Sequence, residues 1–399
     1  MVNCGDDDPA EKPFVKPDSL IWLITSRCNL RCRTCYVSDR FSHQRELDTR
    51  EAEKLLQEAL ALGVEYVGFT GGEALLRPDI FRLMEQSREK KVKTTVVTNG
   101  LACTPEVAER LSALGVEVYL SLDGVNPATH EGIRGKGTWE RVRRAAQTLK
   151  EKGVTFDMVM ALGRHNLEEA RKFIPLASSW GARSAIYIPV MLAGRASRDM
   201  LLTSQDMARV LLEIEEAAEA HGYPVSLWCV PFAGAVIRSP YVSYYSCRAC
   251  QELDITPSGE ILLCDVLDFR VGQVKGGLVE AWEAFCQHPL VKALAEAPLP
   301  APCSDCPARG ECRGGCFARA YILRGDLFAP DPLCPRANQM ERRGKGFEIG
   351  VRSLHQPVLD AGFGRISGLS CEEGSGAAAD PLSEGGDLGT GGMGQDLVS

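Results

Sequence analysis

The chain has 399 residues, 45% of them hydrophobic and 25% charged, which is enough for one large core or two moderate ones. Its formal net charge of −8 argues against a general nucleic-acid or membrane-surface binder, because both need a basic face. No apolar run approaches the ~20 residues of a spanning helix. The acidic start at Asp6, Asp7 and Asp8 lacks the parts of a signal peptide, so the expected location is the cytoplasm. Sixteen cysteines are unusual there, and their clustering points to metal or redox work rather than disulfides.

Residues 1–18 are polar and proline-containing and read as a lead-in. A strand is predicted at 20–25. Asp48 with Glu51 three residues later forms a capping box. Ala52, Leu55, Leu56, Ala59 and Leu60 make the apolar stripe of the helix that follows, and Gly63 stops it. Further strands are predicted at 66–70, 94–98, 116–122, 156–161 and 185–189. Helices are predicted at 80–89, 105–114, 139–150, 167–178 and 206–220. Such alternation implies an α/β fold, a parallel sheet covered by helices. Periodicity does not choose between an open sheet and a barrel.

Around Pro231 the rhythm breaks. Residues 247–334 hold nine cysteines and one clear hairpin, 252–256 with 261–264 around Ser258-Gly259. This predicts a small domain organised by metal rather than by a large apolar core. Residues 371–399 contain eight glycines and no Lys or Arg, the composition of a disordered tail.

Cys28, Cys32 and Cys35 follow the first strand directly, and Tyr36 comes next. Three thiolates at C-x3-C-x2-C spacing can hold three irons of a [4Fe–4S] cluster and leave the fourth open to a ligand. Zinc is the alternative, but structural zinc sites favour paired C-x2-C knuckles and four ligands.

This pattern resembles the hallmark of radical S-adenosylmethionine (SAM) enzymes, and further motifs match in order. Gly71-Gly72-Glu73 ends the second strand, where the resemblance implies binding of the SAM methionyl amine. Asn99 lies in Thr98-Asn99-Gly100 at the end of the third. Ser121 and Asp123 end the fourth, where the ribose or carboxylate of SAM is expected. Ile188, in Tyr187-Ile188-Pro189, stands where the adenine is usually bordered. Arg134 is a candidate partner for the SAM carboxylate, or else a surface residue at a helix start. Ligands at the C-terminal ends of parallel strands suit α/β folds in general. The resemblance implies a partial (β/α)6 barrel over residues 19–230. It also implies reductive cleavage of SAM to a 5′-deoxyadenosyl radical that abstracts a substrate hydrogen.

Residues 231–340 resemble the SPASM domain appended to many such enzymes, and residues 341–399 remain as the tail. The resemblance implies two auxiliary [4Fe–4S] clusters. Cys247, Cys250, Cys264 and Cys316 would hold the first, and Cys303, Cys306, Cys312 and Cys334 the second. The spacing of Cys247 and Cys250 is tighter than in some relatives, which leaves one of the two open, and zinc is again the alternative. Cys4, Cys103, Cys229, Cys286 and Cys371 are left without an assigned role, with Cys229 a candidate to face the cavity. Asp265 follows Cys264, where some relatives place a proton acceptor; the alternative is a solvated carboxylate beside a hairpin.

Two substrate branches share these motifs: maturation of a peptide or peptide-derived cofactor, and tetrapyrrole side-chain chemistry in haem pathways. Expected partners are the peptide or small-molecule substrate, a reduced flavodoxin or ferredoxin, and a separate peptide-recognition protein. A non-catalytic iron–sulfur or zinc protein is the reading of another class.

Overall fold

The computed structural model describes residues 16–248 and 251–339. The start of the lead-in, Cys4, Cys250, Cys371 and the glycine-rich tail lie outside the described residues.

Eleven strands form one sheet: β1 (Ser19–Thr25), β2 (Tyr66–Gly71), β3 (Lys93–Thr98), β4 (Glu117–Ser121), β5 (Phe156–Leu162), β6 (Ala185–Pro189), β7 (Val225–Leu227), β8 (Val242–Tyr244), β9 (Glu252–Ile255), β10 (Glu260–Leu262) and β11 (Arg270–Gln273). Their order is β11-β10-β9-β1-β2-β3-β4-β5-β6-β7-β8. β1 to β8 run parallel and in sequence order, each next to its successor, as in an opened barrel. This settles what periodicity left open.

Both faces of the parallel strands are buried, as helices on one side and a closed interior on the other require. One face carries Trp22, Phe69, Val96, Val118, Phe156 and Met158. It packs with the stripe Ala52, Leu55, Leu56 and Ala59 of helix Thr49–Ala61, whose capping box Asp48–Glu51 is present as expected. The other face carries a small cluster of Tyr119, Val159 and Ile186 with Ile188 and Trp228 against it. That face is also polar. Arg183 bridges Glu117, at 2.9 Å twice, and Asp157 on the strands β4 and β5. The interior therefore offers polar groups as well as apolar bulk.

The predicted helix 167–178 is a 3-10 turn, Leu167–Glu169, followed by helix Ala170–Trp180. Helix Pro127–Arg134 was not expected, because its mostly polar sequence has no clear stripe.

The C-terminal region differs from expectation in one respect. The predicted hairpin is present as β9 and β10, with Ile261 opposite Ile255 and Gly259 in the left-handed region at φ 82°. But it is joined to the main sheet through β1 and β9, and it has apolar packing of its own. Leu278, Ala281, Trp282 and Phe285 are buried on one face of helix Leu278–Gln287. The rings of Trp282 and Phe285 stack at 4.9 Å. Burying a side chain as large as Leu278 or Phe285 is worth about 1.5–3 kcal/mol, so metal is not the sole organiser of this part.

Candidate functional site

The cysteine loop leaves β1 under tight backbone control. Glu46 accepts from Thr25 Oγ1 (2.9 Å), Ser26 N (2.8 Å) and Ser26 Oγ (2.9 Å). Burial pushes the Glu46 carboxyl up, but these bonds outweigh it and hold it below its usual range. The two glycines after β2 lie against the same loop. Gly72 N donates to Thr25 O at 2.7 Å and Glu73 N to Arg27 O at 2.9 Å. A β carbon on Gly72 would meet Arg27 O at 2.2 Å, and one on Gly71 would meet Thr25 O at 2.5 Å. The glycine pair is therefore required for the close approach of β2 to the cysteine loop.

Cys28, Cys32 and Cys35 are half-buried, and the three thiols are neighbours that act on one another's charge. Around them stand the strand-end residues. The Glu73 carboxylate is fully buried. It accepts from Thr98 Oγ1 and Asn99 N, both at 2.8 Å, and burial pushes it up. Asn99 Nδ2 donates to Asn29 Oδ1 at 2.7 Å, inside the cysteine loop. Asp123 is also fully buried. Its Oδ1 accepts from Ala161 N (2.9 Å), its N–H donates to His130 Nδ1 (3.2 Å) and its Oδ2 accepts from Arg134 Nε (2.7 Å). Asp123 thus ties β4 to β5 and fixes Arg134.

Arg134 stands at the last turn of helix Pro127–Arg134, partly buried, not at a surface helix start. Burial disfavours its charge, but Asp123 and the Cys32 thiol beside it more than compensate. A guanidinium thus lies next to the cysteine triplet with one edge committed to Asp123. Ser121 is buried at the end of β4. Ile188 is half-buried, lining the interior face near Tyr119. Beyond β6, Arg195 N donates to Cys35 O at 2.8 Å.

Tyr36 connects this site to the C-terminal region. Its hydroxyl donates to Asp265 Oδ2 at 2.6 Å. Asp265 N donates to Asp254 Oδ2 at 3.2 Å, and Arg40 Nη1 donates to Asp265 O at 2.7 Å. Burial raises Asp265 and Asp254, and raises Glu252 to about 7. Asp265 is therefore not a solvated hairpin carboxylate; it sits in a half-buried acidic group between the two cysteine-bearing regions.

The other cysteines fall into two sets. Cys247 and Cys316 are both neighbours of Cys264. Cys303, Cys312 and Cys334 are likewise neighbours, with Cys306 beside Cys303. Burial pushes the Cys312 and Cys334 thiols up to about 12. Cys303, Cys306, Cys312 and Cys334 together line a small cavity open to solvent. Among the described residues, no three cysteine sulfurs lie within 4.8 Å of one another. A single tetrahedral zinc would hold its sulfurs about 3.8 Å apart. Wider sulfur sets around a cavity suit iron–sulfur clusters better than a single ion, so the residues present fit such clusters. Between the two sets lies Arg248, buried, with Cys247, Cys316 and Cys312 as charged neighbours.

Several of these residues had no sequence signal. Glu46, Asn29, Arg248 and Asp254 carry no motif, and only the fold brings them in. Thr98 stood in view within Thr98-Asn99-Gly100, and its role beside Glu73 follows from the β2–β3 pairing. No helix among the described residues is long and apolar enough to cross a membrane.

Residues 22–177 match the family model of the radical SAM superfamily. Among curated proteins, the chain is 30% identical over 354 residues to a PqqA peptide cyclase of Ruegeria pomeroyi, covering 84% of this chain and 92% of that one. It is 30% identical over 328 residues to the mycofactocin maturase MftC of Mycobacterium ulcerans, covering 80% and 88%. It is 27% identical over 338 residues to an AdoMet-dependent heme synthase of Methanosarcina barkeri, covering 80% and 96%. Among solved structures, Streptococcus suis SuiB bound to its precursor peptide SuiA superposes with a TM-score of 0.66 at 18% identity, covering 80% of this chain and 76% of that one. At that identity the likeness bears on the fold.

Proposed function

The chain belongs to the radical SAM superfamily, and from that premise we propose that it matures a peptide or peptide-derived cofactor. It is an enzyme that uses SAM and a [4Fe–4S] cluster. When bound, they supply a 5′-deoxyadenosyl radical able to abstract a hydrogen atom from the substrate.

The observation that carries the site reading is the meeting of Cys28, Cys32 and Cys35 with Glu73, Asn99 and the Asp123–Arg134 pair at the ends of β1 to β4. In this reading the three cysteines hold the cluster. Gly71 and Gly72 bring backbone close enough to receive the methionyl amine, with the buried Glu73 charge behind them. The free edge of Arg134 faces the SAM carboxylate, and Ser121 and Asp123 border the ribose. Ile188 borders the adenine, and Tyr36 closes the cysteine loop. Asp265, tied to Tyr36, is the candidate proton acceptor toward the substrate. Cys303, Cys306, Cys312 and Cys334 hold one auxiliary cluster, and Cys247, Cys264 and Cys316 with a fourth thiolate hold the other. A flavodoxin or ferredoxin supplies electrons, and a separate recognition protein presents the peptide.

The relatives at 30% identity support the peptide branch, since their names specify a maturase and a peptide cyclase. The heme synthase at 27% identity, matched over 96% of its length, favours a tetrapyrrole as the second reading. The test is anaerobic incubation of the reconstituted enzyme with SAM, a reductant and the short peptide encoded nearest to its gene. A change in peptide mass that requires SAM supports the proposal. An unchanged peptide beside a converted iron-porphyrin carboxylate would overturn it in favour of the tetrapyrrole.

A further inference from the structure

Cys229 lies just past β7, away from both cysteine motifs in sequence, yet the fold carries it to one of them. Its thiol stands beside that of Cys316, and Cys247 and Cys264 are near enough to act on its charge. Cys247 and Cys316 are in turn both neighbours of Cys264. Four cysteines therefore gather in one region, one of them contributed by the barrel edge rather than by the C-terminal region.

The backbone of Cys229 is held in a conformation that side-chain-bearing residues rarely adopt, with φ at 56°. Left-handed backbone at a residue with a β carbon persists only where the surroundings impose it, and such positions gather at functional sites. Here the surroundings are specific. Arg319 Nη2 donates to Cys229 O at 2.8 Å, and Arg319 Nη1 donates to Asp331 Oδ2 at 2.7 Å. The same Asp331 oxygen accepts from Cys316 N at 2.9 Å. Arg319 and Asp331 are both buried. One buried ion pair thus fixes the main chain of Cys229 and of Cys316 together. A thiol that merely filled a gap would need neither the strained backbone nor the shared anchor.

We propose that Cys229 supplies the fourth thiolate of the auxiliary cluster held by Cys247, Cys264 and Cys316, in the place that sequence spacing would give to Cys250. This rests on the radical SAM reading with auxiliary clusters. Ligation forms a bond from Cys229 sulfur to the fourth iron and releases the thiol proton to solvent; no oxidation is involved. It also links the edge of the barrel at β7 to the C-terminal region through the cluster, so that loading with iron would couple the two.

The experiment uses the full chain with Cys28, Cys32 and Cys35 changed to Ala, so that iron reports the auxiliary clusters alone. After anaerobic reconstitution this parent should hold about eight irons, as two four-iron clusters require. Adding Cys229→Ala should lower iron and give the electron paramagnetic resonance signal of an oxidised three-iron cluster, or remove one cluster outright. Adding Cys250→Ala should leave iron content and Mössbauer spectrum as in the parent. Cys229→Ser, which keeps the shape and guards against simple misfolding, should retain the irons but alter the Mössbauer signature of one of them. A Cys229→Ser protein indistinguishable from the parent, or loss of iron in Cys250→Ala and not in Cys229→Ala, would overturn the inference alone. A parent that takes up zinc and no iron would overturn the underlying reading and the inference with it.

Discussion

The two cysteine-bearing regions solve different problems. In the barrel, Cys28, Cys32 and Cys35 are half-buried on a loop, and that loop is pinned by Glu46, Gly72 and Arg195 through backbone and carboxylate bonds. The scaffold beneath it is a full apolar sheet-and-helix core that owes nothing to the cysteines. Toward the C-terminus, Cys306, Cys312, Cys316 and Cys334 are buried and belong to the core itself. The helices there are short: Arg309–Cys312 has four residues, Phe317–Arg324 eight and Pro335–Gln339 five. Isolated helices of that length are marginal, and the four cysteines of the second set border a cavity instead of filling it. One region displays its proposed cluster ligands on a finished fold; in the other the proposed ligands are part of what must be completed.

The largest expected effect separates the two directly. Stripping iron with a chelator should abolish hydrogen-exchange protection across residues 297–339 while β1 to β6 stay protected. Equal loss in both would break the comparison. Next is Asp331→Ala, which leaves Arg319 buried without its partner and removes the acceptor of the Cys316 N–H. Breaking one side of a buried pair costs about 3–5 kcal/mol, readable in urea unfolding of the loaded protein. A change below ~1 kcal/mol would place this pair among surface ion pairs instead.

A pH effect should come from the barrel. Burial lowers His130 to about 4, so the folded state keeps it neutral. Between pH ~6.5, the ordinary histidine value, and pH 4 the unfolded chain binds the extra proton. Stability contributed by neutral His130 is thus present above pH ~6.5 and lost as pH falls toward 4, by on the order of 3 kcal/mol. Urea midpoints of the wild type and of His130→Gln at pH 7 and pH 5 check this; parallel shifts in the two would contradict it. The smallest stability effect with a clear functional one is Gly72→Ala. The new β carbon must push Arg27 O away, costing about 1–3 kcal/mol as overpacking does. SAM cleavage should fall at least about tenfold, the equivalent of ~1.4 kcal/mol at the transition state. Unchanged cleavage would mean that the loop position is not set by this contact.

Much of the barrel was legible because its strands and helices carry strong, regular periods. The run Tyr66–Gly71 and the stripe of Thr49–Ala61 are where pattern places them. The three-residue strands β7 and β8 were not, since so short a run has no period to detect. Helix Leu278–Gln287 does carry a stripe, at Leu278, Ala281, Trp282 and Phe285, but in so cysteine-rich a segment composition points to metal more strongly than one stripe points to a core. At the site, the cysteines and the glycine pair were visible as motifs. Glu46, Arg248 and the Arg319–Asp331 pair were not, because each acts across more than ten residues of sequence on a partner that only the fold supplies. Cys229 had no motif, and the β7 edge that brings it to Cys316 was itself invisible.

We propose that SAM is activated at Cys28, Cys32 and Cys35, and not at the C-terminal cysteine sets. Wild type and Cys32→Ala, both reconstituted anaerobically, should be given SAM and dithionite and assayed for 5′-deoxyadenosine and iron together. Deoxyadenosine is expected from the wild type, and none from Cys32→Ala although its auxiliary irons remain bound. Undiminished cleavage by Cys32→Ala, or none from a fully iron-loaded wild type, would contradict it.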